Sequence, residues 1–324
     1  MKNRVAKLVD IKRIEIFEEE IPSLKENEVL VKMNSVGICG SDMHYFNHGG
    51  LGSFKTPLPM AIGHEPAGTV VDGAFKNGAR VAIEPGCVSE KNKWVIKGKH
   101  NLDTQGTFMG ANAPGAFADY AIVDKKQLVE IPSDMSTNFG SLLEPLGVAL
   151  HAVRMVKVNM MDTVLIVGTG PIGLSVMHVC KKIGVRNIYV IDNHQYRMEH
   201  AYKFGCLPYT SDIKASVLFD CAGNNDAINK CAVAGDVASR LALIGIPEQD
   251  MCEYNPHKLR TKEMLVQNIR RSNLTLEDSI ELFKDNWKDV EKMVTHTAPL
   301  DNIQKAFETV AKREDGVLKF MITS

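Results

Sequence analysis

The stretch "TVLIVGTGPIGLSVMHVCKKIG", followed at once by "NIYVID", leaves the second half of this chain little choice of fold. An apolar run of strand length ends in Gly168, Gly170 and Gly173, and these open a helical period. In such a turn the first glycine permits a tight bend, the second lets backbone approach a pyrophosphate, and the third lets helix pack closely on strand, with phosphates at the positive helix N-terminus. The next strand ends in Asp192, at the spacing where a carboxylate binds both ribose hydroxyls. The same carboxylate repels a 2'-phosphate, so NAD is expected rather than NADP. Arg197 stands five residues on, and two readings of it stay open: a cover for the adenine, or a solvated helix residue. Pro171 and Ile172 in the turn, with Cys221, Ala222, Ile244, Gly245 and Ile246 after later strands, complete the expected cofactor-binding set.

The pattern around this fingerprint alternates buried strands ("VLFDCAG", "RLALIG") with helical periods, which implies a parallel sheet wrapped by helices. One connection, "CLPYTSDIKASVLFD", is too short, because a crossover with its helix takes at least ~10 to 12 residues. An extended loop is expected there in place of one peripheral helix. Up to about residue 125 the signals differ: short β-like runs such as "EVLVKM", "AGTVVD" and "RVAIEP" are punctuated by Gly, Pro and Asn, as in an irregular, mostly antiparallel barrel. Amphipathic "LEDSIELFKDN" and "LDNIQKAFETVAKR" and a β-like "GVLKFMIT" follow residue 270. With 324 residues, two domains are the starting assumption.

Composition removes several classes of partner. A net charge of -1 without like-charge blocks offers nucleic acid no field. The longest apolar stretches fall far short of the roughly 18 residues that span a bilayer. The first residues lack the pattern of a secretory signal, so a cytoplasmic location is expected. Seven cysteines show no paired framework; six are read as small buried apolar residues.

The seventh, Cys39, shares one loop-rich segment with His64 and Glu65: "GICGSDMHYFNHGGLGSFKTPLPMAIGHEPAGTV". Thiolate, imidazole and carboxylate are all zinc donors, and a catalytic zinc keeps three protein ligands and an open position. Asp42 can orient the imidazole, as metal-bound histidines usually require. Glu144 in "LLEPLG" supplies a fourth carboxylate.

With "GTGPIG", "RVAIEPG", "LLEPLGVALHAV" and "VTHTAPLDNIQKAFE", this segment resembles the zinc-dependent medium-chain dehydrogenases over nearly the whole chain, and among them the sorbitol, xylitol and related polyol dehydrogenases. The resemblance implies an α/β protein: a GroES-like β-rich catalytic domain over 1–146, completed by 271–324, and a Rossmann NAD-binding domain over 147–270. It implies one catalytic zinc on Cys39, His64 and Glu65, with Glu144 binding either the zinc water or the metal itself. Ser41 and His44 match the family's proton relay, although a structural role for His44 stays open. Tyr45 and Phe54 match walls of a substrate pocket, as Phe108 does more loosely, and aromatic packing is the competing reading. The implied activity is oxidation of a sugar alcohol to the ketose with hydride transfer to NAD+, in a homodimer or homotetramer.

Three departures qualify the likeness. Where the family has a four-cysteine structural zinc lobe, this chain reads "GCVSEKNKWVIKGKHNLD", and the matching positions are Ser89, Asn92, Val95 and Asp103, so no second zinc is expected. Cys87 is taken as a spare buried thiol. The chain is trimmed near "VVDGAFKNGAR" and in the short crossover. Finally, "IRRSN" has Arg271 after Arg270 where relatives carry an aromatic residue, which suits an anionic polyol or a surface pair of arginines. The alternatives are therefore the same chemistry on an aldonate, phosphorylated polyol or threonine, and a trimmed NAD(H)-binding sensor without turnover.

Overall fold

The computed structural model describes residues 2–323, the side chain of Phe54 excepted, so the expectation for Phe54 lies outside the described residues. The chain divides into two units, one comprising residues up to Glu144 and from Leu276, the other Pro145–Thr275.

In the first unit β1 (Lys2–Asp10) and β2 (Arg13–Glu20) form an antiparallel hairpin. The larger sheet is organised on β3 (Glu28–Gly37), whose alternating "EVLVKM" start becomes buried on both faces toward its end. Helix α1 (Gly40–His48) follows, then β4 (Glu65–Gly73), β5 (Arg80–Ile83), the short pair β6 (Gly86–Cys87) and β7 (Thr107–Phe108), β8 (Tyr120–Asp124) and β9 (Leu128–Glu130). Along one edge β3 pairs with β4 throughout. Along the other it pairs first with β8, then with the strand Lys319–Thr323 from the far end of the chain. Helix α2 (Thr137–Met155) carries Glu144.

The second unit is a six-stranded parallel sheet. Its elements are β10 (Thr163–Val167), α3 (Pro171–Ile183), β11 (Asn187–Ile191), α4 (Gln195–Lys203), β12 (Leu207–Pro208), β13 (Ala215–Asp220), α5 (Asn225–Ala234), β14 (Gly235–Leu243) and β15 (Leu265–Asn268). The sheet order is β12-β11-β10-β13-β14-β15, so the carboxyl ends of β10, β11, β13 and β14 lie side by side: Val167 pairs with Ile191 and Asp220, and Asp220 with Leu243. Between β12 and β13 there is no helix, only a turn closed by Ile213 N–H to Thr210 O, as the short spacing required.

The chain then returns to the first unit with α6 (Leu276–Phe283), β16 (Val294–Pro299), α7 (Ile303–Lys312) and β17 (Lys319–Thr323). Phe307 of α7 packs against Phe46 of α1 and Phe117, with ring centroids 5.3 and 5.6 Å apart. Each buried Phe contributes about 1.5–3 kcal/mol, so this cluster anchors α1 on the core.

The cysteine expectation needs correction. Cys180, Cys206 and Cys231 are buried, but Cys87 and Cys221 are only partly covered and Cys252 is exposed. Cys252 falls in the polar run "EQDMCEYN", which has no apolar periodicity to turn it inward.

Candidate active site

Cys39 stands just before α1, and its N–H donates to Asp42 Oδ2 at 3.0 Å, the reach-back half of a capping box. The other oxygen of Asp42 accepts the Gly63 N–H at 3.2 Å and faces His64 Nδ1 at 3.5 Å. One fully buried carboxylate thereby fixes both the cysteine turn and the histidine turn. Gly63 is required here: its φ is +99°, and a Cβ would fall 2.7 Å from the Phe117 ring. The candidate ligand atoms of Cys39, His64 and Glu65 all lie within 4.8 Å of one another.

These residues fit a zinc ion. One sulfur, one imidazole nitrogen and one carboxylate oxygen make the donor set of a site that keeps a fourth position open. Burial opposes a charge on His64, yet Asp42 and the Cys39 sulfur outweigh it and raise the imidazole well above its ordinary value.

Around this trio, Ser41 Oγ lies 3.4 Å from His64 Nε2, and His44 follows one turn on along α1. Phe108 of β7 tilts over the His64 ring at 5.7 Å between centroids. Tyr45 is 4% exposed and belongs to the apolar core cluster. Glu144 is buried; burial, with Glu65 and Glu84 nearby, pushes its carboxyl up to about 8 against the pull of His64 and Lys319.

Lys319 is the residue that sequence reasoning missed. Its ammonium donates to the Ile38 carbonyl at 2.9 Å and forms an ion pair with Glu65 Oε2. Burial would lower its pKa, but Glu65 and Cys39 raise it above the usual lysine range. The available signal was a lone lysine in the apolar "VLKFMIT".

In the second unit Gly168, with φ +94°, turns the chain from β10 toward α3, whose N-cap is Gly170 and whose first residue is Pro171. A Cβ on Gly173 would meet Gly168 O at 1.9 Å, so helix packs on turn only through glycine. Asp192 Oδ2 accepts from Thr169 N at 2.7 Å, and Oδ1 from His194 N at 2.9 Å. Burial would raise this carboxyl, and those N–H groups outweigh it and hold it low. Arg197 Nε donates to Tyr196 Oη, and one guanidinium nitrogen lies 3.5 Å from where a Gly170 Cβ would stand, so the arginine reaches the glycine turn. Cys221 N–H donates to Val167 O, and Ala222 and Gly223 N–H donate to Asp220 Oδ1. Ile244 and Gly245 follow β14 against the same Asp220, through its carbonyl, while Ile246 is exposed. Arg270 and Arg271 stand after β15, Arg271 with φ +57°.

The loop between β6 and β7 has its own centre. Asp103 accepts Ser89 N–H at 2.6 Å and Gln105 N–H at 2.9 Å, and Asn92 accepts Trp94 N–H at 2.9 Å. Burial would raise the Asp103 carboxyl, but the backbone donors Gln105, Ser89 and Gly106, with the Asn92 side chain, hold it below the usual carboxylate range.

Residues 25–133 match the Alcohol dehydrogenase GroES-like domain. Sorbitol dehydrogenase of Bacillus subtilis is 30% identical over 342 residues, spanning 98% of this chain and 96% of that protein. The chain belongs to the zinc-dependent medium-chain dehydrogenase family. The structure of an Escherichia coli oxidoreductase/dehydrogenase of unknown specificity agrees with a TM-score of 0.92 at 30% identity, covering 100% of this chain and 99% of that one. An alcohol dehydrogenase of Escherichia coli CFT073, complexed with cofactor NADH, gives 0.90 at 25% identity over 100% and 99%. Membership makes this medium-chain dehydrogenase an enzyme of the alcohol-oxidising type, and among its described residues no helix is long and apolar enough to cross a membrane.

Proposed function

We propose that the protein oxidises a sugar alcohol or related secondary alcohol to the ketone, with NAD+ as hydride acceptor and one zinc held by Cys39, His64 and Glu65. The observation that carries this reading is the convergence of three different zinc-donor side chains, within 4.8 Å, in a chain that also has the dinucleotide glycine turn.

Zinc bound there supplies Lewis acidity, which makes an alcohol easier to deprotonate near neutral pH. The protein's own residues do the rest. Asp42 holds the His64 ring in orientation through Nδ1, leaving Nε2 for the cation. Ser41 and His44, three residues apart on α1, share one helix face and pass the hydroxyl proton outward. NAD+ bound at the glycine turn would accept the hydride from the same alcohol carbon, so that a ketone, a proton and NADH would be formed. Asp192 receives the adenosine ribose, and the N–H groups at the start of α3 receive the pyrophosphate. Arg270 and Arg271 are proposed to face the substrate's distal end. Assembly as a homodimer or homotetramer and a cytoplasmic location belong to the same proposal.

The test is zinc content per chain together with NADH absorbance on sugar alcohols, aldonates, phosphorylated polyols and threonine. One zinc with chelator-sensitive NADH formation on a neutral polyol is the expected result. Bound NAD and zinc with no turnover on any of them would replace the enzyme by a sensor.

A further inference from the structure

Lys319 is 1% exposed, at the first position of a strand that is otherwise apolar until its last residue. Its contact with Glu65 forms across Gly37, which in register lies beside Glu65 of β4 on one side and Met321 of β17 on the other. A Cβ on Gly37 would fall 2.1 Å from Glu65 Oε2 and 2.8 Å from Lys319 Cε. Three adjacent strands thus bury one ammonium against one oxygen of a metal-donor carboxylate. A buried ion pair is weak evidence of added stability, since desolvation offsets the attraction. The pair is better explained by what it does to Glu65.

We propose that Lys319 is a positioning residue: by engaging one oxygen of Glu65 it restricts this side chain to a single-oxygen donor and so keeps the metal four-coordinate, with one position left for substrate. The inference deepens the zinc reading and rests on it. An unrestrained carboxylate can bind a cation through both oxygens, the mode that large oxygen-seeking ions use. With one oxygen committed to an ammonium that is itself tied to the Ile38 carbonyl, that mode is closed, and the tetrahedral demand of zinc is met instead. The lysine also adds a positive charge where a thiolate and a carboxylate would otherwise neutralise a divalent ion, which favours an anionic substrate oxygen.

The test uses the full-length protein with Co(II) in place of zinc, because cobalt visible bands are intense when it is four-coordinate and weak when it is five-coordinate. Wild type is expected to show intense bands. Lys319→Met is expected to show weak bands and an affinity lower by about 10–100-fold in chelator competition, the usual scale for residues that orient metal ligands. Lys319→Arg should recover the wild-type spectrum. Gly37→Ala, which keeps every charge but displaces the pair, should reproduce the loss and decides the matter if Lys319→Met fails to fold. A wild type that binds neither cobalt nor zinc would overturn the metal-site reading. Wild-type bands and affinity in folded Lys319→Met or Gly37→Ala would overturn this proposal alone.

Discussion

Asp42 and Asp103 are both buried carboxylates that gather backbone N–H groups in loop-rich parts of the first unit, and they use them in opposite ways. Asp103 takes donors from Ser89, Gln105 and Gly106 and from the Asn92 side chain, so its hydrogen bonds close the loop on itself. Asp42 takes donors from Cys39 and Gly63 and turns toward His64, so its hydrogen bonds aim other groups at a common point. A loop whose polar groups satisfy one another is held in shape by its own hydrogen bonds. A loop that leaves sulfur, nitrogen and oxygen pointing together is built around a charge it does not supply.

The comparison breaks most visibly at the donors themselves. His64→Ala should abolish zinc retention and lower kcat/KM by on the order of a thousandfold, about 4 kcal/mol of transition-state stabilisation, read from metal analysis and NADH formation. Asp42→Asn should weaken zinc binding by about 10–100-fold in chelator competition, whereas Asp103→Asn should leave it unchanged. Equal effects from the two would erase the distinction. Asp103→Ala should cost about 1.5–3 kcal/mol, the scale of a hydrogen bond to a charged group, and open residues 88–106 to limited proteolysis with zinc still bound. The smallest effect is on pH. The folded pKa of Asp103 lies below its unfolded value of about 3.9, so its contribution is complete above roughly pH 5 and disappears as pH falls through the folded pKa. Protection factors of the Ser89 and Gln105 amides, taken against the intrinsic exchange rate at each pH, should therefore fall in acid, and should not respond to a chelator at pH 7.

What could be read in the sequence followed the range of the physics involved. The Gly168 turn and the missing crossover helix were legible because each is decided within a few residues by backbone freedom or chain length. Cys39, His64 and Glu65 were legible by chemistry, since their residue types together serve few other ends. Tyr45 reads alike in the sequence as pocket wall or as core, because an aromatic in a glycine-rich loop serves either, and its burial in the apolar cluster appears only in the fold. The sequence did not reveal that Asp103 would gather the N–H groups of the 88–106 loop. Lys319 was invisible as a partner of Glu65 because the two meet only once β17 is placed beside β3.

That last placement also sets an order in time. Lys319 and the Ile38 carbonyl it grips are 281 residues apart, with the whole 145–275 unit between them. At the usual ~5–20 residues per second of synthesis, roughly 15–60 s pass between the emergence of the two. The contiguous dinucleotide unit can fold during that interval, while Cys39, His64 and Glu65 already stand on the nascent chain. A newly made molecule therefore meets the cell's metal ions with Glu65 unrestrained, and its choice among them is made strict only when the final strand closes.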